Sequence, residues 1–226
     1  EVTVGVESWS VITKALRPLP EKWHGITDTE TRYRQRYLDL IANERSRVIA
    51  RRRADVIAAV RQFFHARGFI EVDTPVLSRE VLPEAHIDPI AVHVDGTGRP
   101  CHYLQASPEA LMKRLLAAGA RAIYQIGHVF RAGELGQRHN PEFTMVELYQ
   151  AYADFRELMD MVERLLHGLC DSILGTRNIE WEGQQLDLSQ PFQRVTVEDM
   201  VVQYTPGIER DKLRDVQYLR QWCDKL

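Results

Sequence analysis

The sequence predicts an α+β fold. Short apolar–polar alternations that read as strands recur between stretches of helical period. Turn signals separate them, with hairpin signals at Asp95-Gly96-Thr97-Gly98 and Glu182-Gly183. The helices are interspersed irregularly among the strands, so the pattern is an antiparallel sheet flanked by helices, not a regular βαβ alternation.

Residues 1–9 set Val2, Val4 and Val6 against Thr3, Gly5 and Glu7 and are expected to form a half-buried strand, although no partner lies close in sequence. Residues 16–25 hold two prolines and a glycine and read as a linker. A basic stretch follows (Arg32, Arg34, Arg36, Arg45, Arg47, Arg51, Arg52, Arg53). Val48, Ile49, Val56, Ile57, Val60, Phe63 and Phe64 recur at helical spacing up to Gly68, a cap residue. The spacing predicts a long amphipathic helix with a solvated arginine face and an apolar face in the core. Residues 69–72 read as a short strand ended by Thr74-Pro75. Residues 91–94 and 102–105 flank the first hairpin signal. Ser107-Pro108-Glu109 supplies a cap, a first-turn proline and an early carboxylate for a helix running to Gly119. Residues 122–131 and 143–149 read as strands joined by a polar loop. Asp154 is expected to cap a helix whose stripe from Phe155 to Ile173 is core. A hairpin at Glu182-Gly183, a capping box from Thr196 to Asp199, a short helix to Tyr204 and further helix from Asp211 complete the chain.

The 226 residues allow one domain, or one and part of another. With 44% hydrophobic and 27% charged residues the composition is that of a globular chain, which excludes disordered, collagen-like and coiled-coil classes. A net charge of −3 removes the simplest nucleic-acid signal. No apolar run approaches the roughly 20 residues of a membrane helix, and no leader is evident, so a cytoplasmic chain is expected. Cys101, Cys170 and Cys223 have no metal-ligand spacing and read as reduced thiols, and the histidines likewise suggest no metal site. Glu1 falls inside a strand pattern and Leu226 inside a helical one, so both ends are expected to be cuts.

The densest ionisable cluster is residues 129–152, VFRAGELGQRHNPEFTMVELYQAY. Strand periodicity puts Gln125, Gly127, Val129 and Arg131 on one face, and Phe143, Met145, Glu147 and Tyr149 on one face of the second strand. Paired antiparallel, the two would form a floor carrying an arginine, a carboxylate and two rings. Arginine forks bind phosphate or carboxylate, a carboxylate binds an ammonium, and a ring stacks on a base. Such a floor suits an amino acid and a nucleotide together.

This stretch resembles the second signature motif of class II aminoacyl-tRNA synthetases, and HNPEFTMVELYQAYADF is very similar to the lysyl-tRNA synthetases among them. The long helix with Arg67-Gly68-Phe69 and the following Ile70 to Pro75 resembles the first signature. LRPLPEKWHGITDTETRYRQRYLDLI resembles the join between an OB-fold anticodon-binding domain and the catalytic domain. The resemblance therefore implies an OB-fold remnant at 1–15, a linker at 16–43, and the N-terminal part of a catalytic domain at 44–226. It implies an enzyme that uses ATP and Mg²⁺ to make lysyl-adenylate and passes lysine to tRNA(Lys), and a homodimer through the first-motif helix.

Residue by residue, Arg131 matches the arginine that grips the ATP α-phosphate and the substrate carboxylate. His139 and Asn140 match nucleotide-contacting loop positions, and Phe143 the ring under adenine. Glu147 and Tyr149 match side chains that recognise lysine, and Glu109 the carboxylate near its α-ammonium. Departures exist. Ala132-Gly133-Glu134 stands where Asn-Glu usually follows the arginine, so Glu134 could meet adenine only through a loop shift. The pattern FRAGELGQRHNPEFT is closer to the paralogue that attaches lysine to elongation factor P, whose acceptor is the alternative to tRNA. A third signature and its acidic metal ligands have no match before Leu226, which implies weak or absent adenylate formation by these residues alone. A synthetase-like binding or dimerisation module without turnover is the non-enzymatic alternative.

Overall fold

The computed structural model describes residues 2–17, 25–81, 83–93, 96, 102–136 and 138–224. It divides into two compact units, Glu1–Asp154 and Phe155–Leu226.

In the first unit, the expected strand near the start is absent. Residues 2–17 have no regular structure, and Val2, Val4, Val6 and Trp9 are exposed. Alternation marks a strand only where a ladder partner exists, and no described strand pairs with this segment. Part of the expected linker, 18–24, lies outside the described residues, while its end is helical: α1 (Thr29–Arg34), α2 (Arg36–Ala42) and then α3 (Glu44–His65). Asp28 caps α1, its Oδ2 accepting from the Thr31 amide at 2.7 Å. The carboxylate of Asp39 is fully buried in α2. It accepts from Asn43 Nδ2 at 2.5 Å, Arg36 Nη1 at 2.7 Å and Arg32 Nε at 2.9 Å. The Asn43 amide, then Ser46 and the two guanidiniums, hold this carboxyl well below the usual carboxylate range against the opposing effect of burial.

Helix α3 is the predicted amphipathic helix, but only its last turns are core. Val60 and Phe64 are buried, whereas Val48, Ile49 and Val56 are exposed. Phe64 lies at the centre of an aromatic cluster: its ring stacks on Tyr124 at 4.8 Å and meets Phe69 at 5.3 Å and Phe63 at 5.4 Å. Gly68 ends the helix at φ +77°, and the Phe69 amide returns to the Phe64 carbonyl at 3.1 Å.

Beyond this cap come β1 (Ile70–Glu71), β2 (Leu77–Ser78), β3 (Ala91–Val92), β4 (His102–Leu104), α4 (Glu109–Ala117), β5 (Ala122–Phe130) and β6 (Glu142–Gln150). One sheet has the order β1-β5-β6. Strands β5 and β6 form a long antiparallel pair from Ala122↔Gln150 to Phe130↔Glu142, and the short β1 lies parallel to β5. A second sheet, β2-β4-β3, is antiparallel throughout. Its β3–β4 pair matches the predicted hairpin flanks; of the expected turn residues 95–98, only Gly96 is described, and Cys101 also lies outside the described residues. Architecture and pairing are those of the predicted α+β class, mainly antiparallel.

The second unit contains α5 (Phe155–Leu169), a π-helical turn (Cys170–Leu174), β7 (Asn178–Trp181), β8 (Gln184–Asp187), α6 (Val197–Tyr204), a 3₁₀ turn (Arg210–Lys212) and α7 (Val216–Cys223). The hairpin forms where predicted, with Glu182 and Gly183 at φ +50° and +80°, the double positive-φ turn that suits a two-residue loop. Thr196 caps α6 as predicted, its Oγ1 accepting from the Asp199 amide at 3.1 Å. Two expectations need correction. The α5 stripe is only partly core: Met161 is buried, but Phe155, Met159, Val162 and Leu166 are exposed. The helix expected from Asp211 is broken, because Asp215 starts a new one by accepting from the Gln217 and Tyr218 amides at 2.9 and 3.2 Å.

Candidate functional site

The β5–β6 pair sets the site. Its register places Gln125 opposite Glu147, Gly127 opposite Met145 and Val129 opposite Phe143, which puts these residues on one face. The other face carries Tyr124 against Phe64 and Thr144 against Arg53, whose Nη2 donates to Thr144 Oγ1 at 2.7 Å. The long helix therefore packs under one face, and the other carries Gln125 and Glu147 together with the buried Ile123 and Val129.

Arg131 follows the last residue of β5. Its amide donates to the Pro141 carbonyl at 2.8 Å, and its Nε points to the Ala106 carbonyl at 3.5 Å, the outer limit of a hydrogen bond. The guanidinium lies 5.2 Å from the centre of the Phe143 ring. Its Nη1 is 4.0 Å from Glu134 Oε1. Gly133, at φ +74°, turns the loop so that Glu134 folds back toward Arg131, while the Ala132 amide bonds to the Asp88 carbonyl at 2.8 Å.

The carboxylates gather at the other end of the floor. Glu147 Oε1 accepts from the Tyr149 hydroxyl at 2.7 Å and Oε2 from Ser107 Oγ at 2.8 Å. A carboxylate has about four acceptor positions, so Glu147 keeps capacity for a further donor. The Tyr149 phenol is pushed above its ordinary range, first by burial, then by its bond to Glu147 and the charges of Glu147 and Glu109. Glu109, at the start of α4, pairs with Lys113, whose ammonium lies 6.0 Å from the centre of the Tyr149 ring. Pro83, Glu84, Glu109, Ala110 and Lys113 line a recess of about 200 Å³. A second cavity of about 270 Å³ runs beside Ser107, Ala106, Tyr103, Ser78, Val81 and Leu111.

Of the sequence-predicted residues, Arg131 is thus in contact with Phe143, and Glu109, Glu147 and Tyr149 form a second group. His139 and Asn140 stand apart. Both are exposed in the β5–β6 loop, where the Gly136 amide donates to the His139 carbonyl at 3.1 Å. Among the described residues, neither side chain bonds to the groups above. Sequence reasoning treated Ser107 only as a cap; here its hydroxyl accepts from the Glu109 amide at 3.0 Å while donating to Glu147. Sequence reasoning assigns no role to Thr74 or Gln105 and places Gln125 only on the strand face; all three are buried. No local pattern marks them, because their bonding partners lie on distant segments.

Chemically, the arrangement offers a guanidinium beside a ring at one end. At the other it offers two carboxylates with a protonated phenol. That is a receptor for an anionic group next to a flat ring system, and for a cationic amine. Among the described residues no group of three acidic, histidine or cysteine side chains is suited to a metal. No described helix is long and apolar enough to cross a membrane.

Comparison with known proteins agrees with this chemistry. The family profile of class II tRNA synthetases (D, K and N) matches residues 28–219. A lysine–tRNA ligase of Thioalkalivibrio sulfidiphilus is 44% identical over all of this chain and 45% of its own length. Those of Legionella pneumophila (strain Corby) and Actinobacillus succinogenes are 43% and 44% identical over the same shares. The chain thus spans about half the length of the curated relatives it matches.

Proposed function

Because the chain belongs to the class II tRNA synthetases of the D, K and N group, we propose that it carries the lysine- and ATP-binding half of a lysine–tRNA ligase. The observation that carries this reading is the Glu147–Tyr149–Ser107 group, with Glu109 beside it. Two carboxylates bind a cationic amino acid and repel an aspartate. For asparagine, they supply no charge to match. The names of the relatives point the same way.

In this reading Glu147 and Tyr149 receive the ε-ammonium of lysine, and Glu109 receives the α-ammonium by releasing Lys113. Arg131 holds both the lysine carboxylate and the α-phosphate of ATP, and Phe143 supports the adenine, with His139 and Asn140 closing from the loop. The lysine carboxylate oxygen attacks the α-phosphorus, a bond to that oxygen forms, and pyrophosphate leaves. The residues supply position and charge: Arg131 aligns oxygen with phosphorus and offsets the charge growing there, and no enzyme side chain is covalently modified. Mg²⁺ would accompany the ATP phosphates and offset their charge. The remaining assignments belong to the same proposal: an OB-fold remnant at 1–15, a linker at 16–43, a cytoplasmic setting, tRNA(Lys) as acceptor, and a homodimer using the exposed Val48, Ile49 and Val56 of α3. The likeness of FRAGELGQRHNPEFT to the paralogue that modifies elongation factor P favours that factor as the other acceptor.

The test is calorimetric titration of the chain with sulfamoyl-adenosine analogues carrying lysine, aspartate or asparagine. The lysyl analogue should bind and the other two should not. Equal binding of all three, or preference for the aspartyl compound, would refute the assignment.

A further inference from the structure

Arg131 can serve a substrate only if the end of β5 is held in place, and β1 pairs with β5 only at Ile123 and Tyr124. Farther along the same edge, at 128–130, a single residue takes over, while β6 pairs along the other edge. Gln105 is 7% exposed and follows β4. Its backbone carbonyl accepts from the Phe130 amide at 2.9 Å, and its side-chain Nε2 donates to the His128 carbonyl at 3.3 Å. Main chain and side chain of one residue thus grip both sides of Val129, immediately before Arg131.

Gln105 is fixed in turn. Its amide donates to the Val76 carbonyl at 2.9 Å, and its Oε1 accepts from Thr74 Oγ1 at 3.4 Å. The Thr74 amide donates to Gln125 Oε1 at 3.1 Å, and Gln125 sits opposite Glu147. The next residue, Ala106, presents the carbonyl facing Arg131 Nε, and the one after it, Ser107, bonds Glu147 and the Glu109 amide.

We propose that Gln105 is a positioning residue for Arg131: by clamping His128 and Phe130 it fixes where the guanidinium starts, and its chain continues into the contacts that orient Arg131 and Glu147. A buried amide is suited to this, because it donates and accepts at once and has little freedom to find other partners. The ligand-binding consequence rests on the proposed function above; the clamp itself does not.

The test uses the 226-residue chain and Gln105→Met, which keeps shape and backbone bonds but removes both side-chain bonds. Native-state hydrogen exchange at the Phe130 and Arg131 amides should speed up about ten-fold relative to Ile126, the scale of one buried hydrogen bond. The dissociation constant for the lysyl sulfamoyl-adenosine analogue, measured well below the melting temperature, should rise by a similar factor. A role in stability alone would lower the melting temperature and leave that constant unchanged, and this outcome would overturn the proposal. If Gln105→Met does not fold, Thr74→Val decides: a several-fold loss of affinity that Thr74→Ser restores supports the clamp, and no change refutes it. If the unmodified chain does not bind the analogue, the reading of the site fails. The clamp then stands or falls on the exchange rates.

Discussion

The two faces of the β5–β6 pair are built from the same two strands and behave as opposites. One face is dry where it meets α3, with Tyr124 stacked on the fully buried Phe64 at 4.8 Å, and open farther along, at His128, Glu142 and Val146. The other carries Glu147, Tyr149 and the approach of Arg131, all half-buried and joined by hydrogen bonds to Ser107 and the chain around it. A period of two lets one strand serve both tasks, since neighbouring residues point to opposite sides. The aromatic cluster on α3, with the buried Ile123 and Val129 of β5 on the opposite side, anchors the sheet, so Glu147 and Arg131 can keep unused bonding capacity. The comparison fails if mutations on the polar face unfold the protein, or if mutations on the dry face act mainly on binding.

The largest effect should come from Phe64→Ala, which removes a fully buried ring and should cost about 3–5 kcal/mol in denaturant unfolding. Folded protein that remains should bind the lysyl-adenylate analogue with nearly unchanged affinity. Arg131→Ala should do the reverse, weakening the analogue by roughly 100-fold, the scale of a charge-assisted contact, with the unfolding midpoint nearly unchanged.

A pH series separates the faces further. The Tyr149 phenol is raised in the folded state, so its neutral form is the one the fold favours. Its contribution to stability is complete below the ordinary tyrosine value near 10 and is lost as pH rises through the higher folded value. Stability of the unmodified chain should therefore fall more steeply above about pH 10 than that of Tyr149→Phe. Asp39, held low by Asn43, Ser46 and two arginines, has the opposite sign. Its contribution is complete above the ordinary carboxyl value and is lost only as pH falls through its lower folded value, so Asp39→Asn should flatten the acid limb of the unfolding curve. The smallest effect should be that of Arg53→Ala. It removes one exposed bond to Thr144 and should cost below about 1 kcal/mol by thermal unfolding.

The legible and hidden parts of the molecule differ in a physical way. Strands β5 and β6, helix α3 and the Glu182-Gly183 hairpin were readable because each is specified by residues adjacent along the chain. The candidate site is readable for the same reason: Phe143, Glu147 and Tyr149 lie on β6, Arg131 directly follows β5, and the pairing of the two strands brings them to one side. Helices α1 and α2 were not readable, because they depend on the burial of Asp39 among Arg32, Arg36 and Asn43. The parallel match of β1 with β5 and the bonds of Thr74 to Gln105 and Gln125 join segments 31–53 residues apart, and no local period reports them. The alternation of residues 2–9 misled for the converse reason, since its pattern was correct but its pairing partner was not supplied by any described strand.

The proposed recognition of a cationic side chain rests on Glu147. It is tested most directly by titrating the chain and Glu147→Gln with two sulfamoyl-adenosine analogues, lysyl and norleucyl, which differ in the terminal ammonium. The unmodified chain should prefer the lysyl compound by about 10–100-fold, and Glu147→Gln should remove most of that preference without lowering the melting temperature. A preference that survives Glu147→Gln would show that Glu147 does not read the ammonium.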